Sequence, residues 1–234
     1  MRKQKKWSIT AIIIITIAIG LFSFQSTMFS QKEERIVALG DSLTFGVGDQ
    51  SGNGYVENLD QWLDEHHERK VTVDNYAIPD QQTDGMLGQM NEAAVLKSIE
   101  KADYILLFIG TNDVIKSNGG DLTEIRKDQI AKGEKDYEKN LKKIMDTVRE
   151  ENPEAPILFL GLYSPYPDHE KINTIINNWN ENSRKLIDGY DNVHYIKTKD
   201  LFEEKSRKHF SDALHLNEQG YERLTKRILD EYDF

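Results

Sequence analysis

The sequence predicts a single parallel α/β domain, and three observations support that fold class. Apolar β-branched runs alternate with stretches in which apolar residues recur every three and four positions, the pattern of repeated strand–helix units with helices on both faces of a parallel sheet. About 200 residues remain beyond the N-terminal segment, enough for one domain with a sizeable core, and a composition of 38% hydrophobic and 30% charged residues is that of a folded chain. Three of the five predicted strands run into short polar motifs, where open parallel sheets bind their ligands.

Residues 1–30 differ in kind from the rest. Arg2, Lys3, Lys5 and Lys6 precede an uncharged apolar run from about Trp7 to Phe24. As a helix its roughly 18 residues extend about 27 Å, close to the thickness of a bilayer's hydrocarbon core. The expectation is a transmembrane anchor or signal segment over 1–30, preceding one domain over 31–234. Large side chains around Ser23–Phe29 favour an uncleaved anchor over a cleaved signal. The basic end then stays in the cytoplasm, so the domain sits outside on a single-pass cell-membrane tether, or is secreted if the segment is cut.

Strands are predicted at Arg35–Leu39, Val71–Ala77, Tyr104–Ile109, Pro156–Leu162 and Val193–Lys197. Helices are predicted at Tyr55–His67, Thr83–Glu100, Glu134–Glu151, Lys171–Tyr190 and Asn217–Tyr232. Leu141, Ile144, Met145 and Val148 make one apolar face, and Tyr221, Leu224, Ile228, Leu229 and Tyr232 make another. Thr83-Asp84-Gly85 opens one helix, Pro153 and Pro156 close another, and Asn217 with Glu218 caps the last. Lys116–Lys132 is polar, contains Asn118-Gly119-Gly120, and is expected to form a loop framing a site.

Charge and cysteine usage narrow the function. The chain carries a formal charge of −10; residues 1–31 hold four basic and no acidic side chains, so the remainder carries −14. Such a surface makes nucleic acid a poor partner. Cysteine is absent, which excludes disulfides, thiolate catalysis and lipid attachment through a cysteine.

Ser42 follows the first strand, flanked by Gly40 and Gly46, on a turn that can present both its hydroxyl and its N–H. A serine hydroxyl is a weak nucleophile until a base takes its proton, and the base works best when a carboxylate orients it. Asp212 and His215, three residues apart in Ser211-Asp212-Ala213-Leu214-His215, supply that pair. Asn112, after the third strand, offers a side-chain amide where negative charge would develop on an ester carbonyl, and the Ser42 N–H is a second donor.

Gly40-Asp41-Ser42-Leu43, Gly110-Thr111-Asn112-Asp113 and Asp212-Ala213-Leu214-His215 resemble, in order and spacing, the first, third and last blocks of the SGNH, or GDSL, hydrolases. Gly161-Leu162-Tyr163-Ser164-Pro165 is similar to a membrane-tethered Gram-positive subgroup. The resemblance implies a flavodoxin-like three-layer αβα sandwich with a five-stranded parallel sheet. It also implies serine ester hydrolysis without a metal or cofactor, and an oxyanion hole built from the serine N–H, a glycine N–H of the second block and the asparagine. Asp80 stands where that glycine belongs, so the hole is assigned to Ser42, Asp80 and Asn112. If the turn requires a positive φ, Asp80 must adopt it, and its carboxylate would oppose an oxyanion; Gly85 is the substitute donor if the loop shifts. Expected substrates are small esters or acylated glycans and lipids; a fold-retaining binding protein without chemistry is the reading that Asp80 would support. The sequence leaves the oligomeric state open.

The remaining polar residues read more plainly. Asp41 and Asp113 brace their loops, His66 and His67 close a helix, and His169, His194 and His209 are solvated. Gly46, Gly48, Gly52 and Gly54 lack the spacing of a phosphate loop. Trp62 and Trp179 are expected in the core.

Overall fold

The structure, a computed structural model, describes residues 33–234 except 68, 123, 167 and 203–206. The expected anchor or signal helix over 1–30 lies outside the described residues. Among those described, no helix is long and apolar enough to cross a membrane.

The five predicted strands are all present: β1 (Glu34–Gly40), β2 (Val71–Asn75), β3 (Tyr104–Phe108), β4 (Ile157–Leu160) and β5 (Val193–Ile196). They form one parallel sheet in the order β2-β1-β3-β4-β5. Central strands covered on both faces have no polar side to show, and Ile36, Val37, Ala38 and Leu39 of β1 and Ile105, Leu106 and Leu107 of β3 are fully buried. Each valine, leucine or isoleucine among them contributes about 1.5–3 kcal/mol on leaving water.

Helices α1 (Ser42–Phe45), α2 (Gly54–His66), α3 (Thr83–Gln89), α4 (Ala93–Glu100), α5 (Thr111–Ser117), α6 (Lys127–Glu151), α7 (Glu170–Ile187) and α8 (Glu218–Glu231) fill the connections. α2 and α8 pack together as one outer layer, while α3, α4 and α7 pack on α6 as the other. In this strand order the chain leaves β1 and β3 toward opposite faces, opening a crevice at their carboxyl ends.

Three expectations need correction. Thr83–Glu100 is not one helix: Glu92 turns to extended backbone between α3 and α4, and the Asn91 amide donates to the carbonyls of Leu87 and Gly88. An asparagine side chain competing for helix carbonyls in this way ends the helix. The polar stretch Lys116–Lys132 is not a single loop, because α5 runs to Ser117 and α6 begins at Lys127, seven residues before the predicted start. Its first turns carry one buried apolar residue, Ile130, too few to show a period, and Gly133 is there for a close crossing: a Cβ on it would lie 2.2 Å from Ser117 Cβ. Trp179 is buried as expected, but Trp62 is 40% exposed and stacks on His66.

Candidate active site

The β1–α1 turn places Ser42 within a run of buried residues, Asp41 to Thr44. Asp41 caps α1 by accepting a hydrogen bond from Leu43 N, and Ser42 and Thr44 are buried behind it. Burial raises the Asp41 carboxyl to about 7, with Asp113 and Asp80 adding in the same direction. Asn112 sits in the first turn of α5, also buried, and its amide donates to Gln81 O at 3.1 Å and reaches Asp41 Oδ2 at 3.4 Å. One side chain thus ties together the loops after β1, β2 and β3. The next residue, Asp113, accepts from Thr83 N and Thr83 Oγ1 and so fixes the start of α3; burial raises it to about 6. Asp41 and Asp113 are braces, as the sequence suggests.

The histidine arrives on a different kind of element. A short 3₁₀ turn, Arg207–His209, leads into 210–216, closed by an antiparallel bridge between Phe210 and Leu216. Within it Asp212 Oδ1 accepts from the backbone of Leu214 and His215, and Ser211 N donates to His215 O. The ring then lies between its two partners, with His215 Nδ1 2.7 Å from Asp212 Oδ2 and His215 Nε2 3.0 Å from Ser42 Oγ. Burial pushes the Asp212 carboxyl up, but the hydrogen bonds from His215 and Leu214 outweigh it and hold the group below its ordinary value. An ionised carboxylate so placed can orient the ring and stabilise an imidazolium.

Ser42, Asp212, His215 and Asn112 therefore meet at the carboxyl ends of β1 and β3. Asp80 lies on the loop after β2 with φ 62°, the left-handed conformation that the absent glycine would have taken without cost. Its side chain is exposed, so water and salt screen the charge that a buried carboxylate would impose. Gly85 lies in the first turn of α3.

Of the remaining histidines, His66 Nδ1 pairs with Trp62 O in the last turn of α2 and His169 accepts from Ile172 N as the cap of α7, while His194 is exposed. His209 departs from the solvated reading, being half-buried against the ring of Phe202.

The GDSL-like Lipase/Acylhydrolase family matches residues 38–223, most of the described domain. The chain belongs to this family. Among related sequences, the uncharacterized protein YpmR of Bacillus subtilis is 32% identical over 201 residues, covering 82% of this chain and 79% of that protein. The spore germination lipase LipC of Bacillus licheniformis is 27% identical, covering 82% and 92%. Among solved structures, the lipase Lip_vut3 from a goat rumen metagenome superposes with a TM-score of 0.77 at 24% identity, covering 85% of this chain and 97% of that one. The acetylxylan esterase Axe2 of Geobacillus stearothermophilus gives 0.68 at 20%, covering 86% and 94%. These two structures show that the GDSL chain has their fold.

One residue of this GDSL hydrolase escapes the sequence reading. Tyr163, buried beyond the end of β4, donates its hydroxyl to Leu214 O at 2.7 Å and stacks edge-on against Phe202 and Phe210. It tethers the backbone between Asp212 and His215 to the sheet. The signal was a phenol inside a polar motif at a fourth strand end, a position to which the sequence reading gave no role.

Proposed function

We propose that this GDSL hydrolase is a serine esterase that works through an acyl-Ser42 intermediate. The observation that carries the reading is the continuous path from Ser42 Oγ through the His215 ring to Asp212, with steps of 3.0 and 2.7 Å. His215 takes the Ser42 proton as the hydroxyl attacks the ester carbonyl, then gives it to the departing alcohol. Water, deprotonated by the same ring, releases the acid and restores the serine. Asp212 holds the tautomer in which Nδ1 carries the proton. Ser42 N, Asp80 N and the Asn112 amide are assigned to the developing oxyanion, and each such donor is worth about 3 kcal/mol of barrier.

The reading extends to location on sequence grounds. The basic cluster and apolar run over 1–30 support a membrane tether with the hydrolase outside the cytoplasm. Substrates within reach there are O-acyl groups of cell-envelope polymers and esters of lipids such as lysophospholipids. The acetylxylan esterase and the spore germination lipase named above lend weight to the two classes in turn.

The test uses the full chain. p-Nitrophenyl acetate or butyrate is hydrolysed and a fluorophosphonate labels Ser42, while Ser42→Ala abolishes both. Turnover by the parent chain no greater than that of folded Ser42→Ala overturns the esterase reading. Recovery of the chain in the membrane pellet after alkaline extraction supports the tether, and a soluble product beginning beyond residue 30 points to cleavage.

A further inference from the structure

The triad loop borders a groove that the hydrolytic reading leaves unused. It has a volume of about 430 Å³, and its apolar walls come from Ile115, Leu122, Pro165, Tyr166, Ile172 and Leu214. Two of these fix its place relative to the chemistry. Leu214 immediately precedes His215, whose Nε2 lies 3.0 Å from Ser42 Oγ. Ile115 lies one turn beyond Asn112 on α5, and side chains three apart share a helix face. The groove thus borders the turn that carries His215 and the helix that carries Asn112.

We propose that this groove is an acyl-chain site, which makes medium- to long-chain esters the preferred substrates over acetates. The proposal rests on the esterase reading and specifies which ester it serves. An acetyl group places one methyl beyond the carbonyl and leaves the aliphatic walls to water. A chain of about eight carbons continues from the carbonyl along Leu214 and Ile115 toward Leu122 and Tyr166. A site for a glycan would need a set of convergent hydrogen-bonding groups, whereas the lining offers the polar side chains of Asp121 and His169 against four leucine or isoleucine side chains. The groove also has a fixed floor. Tyr163 holds Leu214 O, Ile172 is buried in α7, and the Asn118 amide ties the 118–126 loop by donating to the carbonyls of Asp121 and Glu124 on either side of Leu122. An existing slot costs little ordering when the chain enters.

The test varies acyl length from acetate to octanoate with the p-nitrophenyl leaving group constant, so that chain dependence reports the acyl side alone. Complete burial of a methylene multiplies binding about fourfold. An open groove that covers half of each gives about twofold, hence roughly 60-fold in kcat/KM over six methylenes. Tyr166→Asp, at a position 41% exposed and therefore safe for folding, and Leu122→Asp each lower the octanoate-to-acetate ratio at least tenfold. The ratio cancels any general loss of active protein, and Trp62→Ala leaves it unchanged. Binding is read separately by titrating Ser42→Ala with methyl octanoate, which saturates with a negative heat-capacity change that methyl acetate lacks. Acetate hydrolysed as fast as octanoate, with no methyl octanoate binding, overturns the groove while leaving the esterase intact. Saturable methyl octanoate binding without turnover in the parent chain upholds the groove and overturns the esterase instead.

Discussion

Ser42 and His215 meet at 3.0 Å, but the two regions that carry them are built in opposite ways. The serine region is buried and held by long-range partners: Asp41, Asn112 and Asp113 link loops after three different strands. The histidine region lies at the surface and is held mainly by its own neighbours, with Asp212 accepting from residues two and three positions later. One takes its geometry from the core, the other from a self-contained turn fastened at Tyr163. Burial provides rigidity at the cost of raised carboxyl pKa values, whereas in the surface turn the hydrogen bonds from His215 and Leu214 keep Asp212 ionised, at the cost of needing a tether.

Several substitutions can break or sharpen this contrast. The largest effect is expected in the exposed turn, where His215→Ala lowers kcat about 10⁶-fold without moving Tm by more than a degree or two, because triad members act as a unit. A Tm drop as large as that of a core substitution would show that the turn is structural after all. In the buried region the dominant effect is on stability. Asp41 has its carboxyl raised to about 7 by burial, against about 3.9 in an unfolded chain. Between those values the folded state binds the extra proton, so stability falls as pH rises from about 4 to 7 and levels off above. The shift corresponds to roughly 4 kcal/mol. Asp41→Asn flattens that slope in denaturant titrations across this range; an unchanged slope would remove Asp41 as its source. The smallest effect belongs to the tether. Tyr163→Phe loses about 1 kcal/mol of stability and lowers kcat several-fold with KM little changed, since it frees the His215 turn without touching substrate. Equal losses in His215→Ala and Tyr163→Phe would mean that the turn has no geometry of its own.

The sequence shows the buried half of this contrast more clearly than the exposed half. Strands such as Ile36–Leu39 and Ile105–Phe108 are legible because full burial leaves a continuous apolar run, and the polar motif at each strand end stands out against it. Asp80 was legible for a related reason: a side chain where the family has glycine raises the question of a positive φ, and the backbone answers it with φ 62°. What the pattern cannot show is a choice made by competing partners. The break at Asn91 depends on an amide preferring the carbonyls of Leu87 and Gly88, and the early start of α6 depends on Gly133 seating against Ser117. Trp62 carries a core residue's identity on a helix but stacks on His66 at the surface, because only the facing element decides which side of a helix is covered. The groove beyond Leu214 was hidden because its walls come from four separate segments, none apolar enough to stand out in the sequence.

Gly48, with φ 97°, lies so close to the histidine turn that a Cβ there would meet Ser211 Oγ at 2.2 Å and Leu216 O at 2.4 Å. This contact joins stretches nearly as remote along the chain as Ser42 and His215, which are 173 positions apart. Pairings of such long range close slowly, after local helices have formed. During synthesis the alcohol emerges well before the ring that would activate it, and an incompletely threaded molecule carries an inert serine. The proposed hydrolytic activity can therefore appear only once the first and last loops have been clasped together, which makes ester turnover a readout of finished folding.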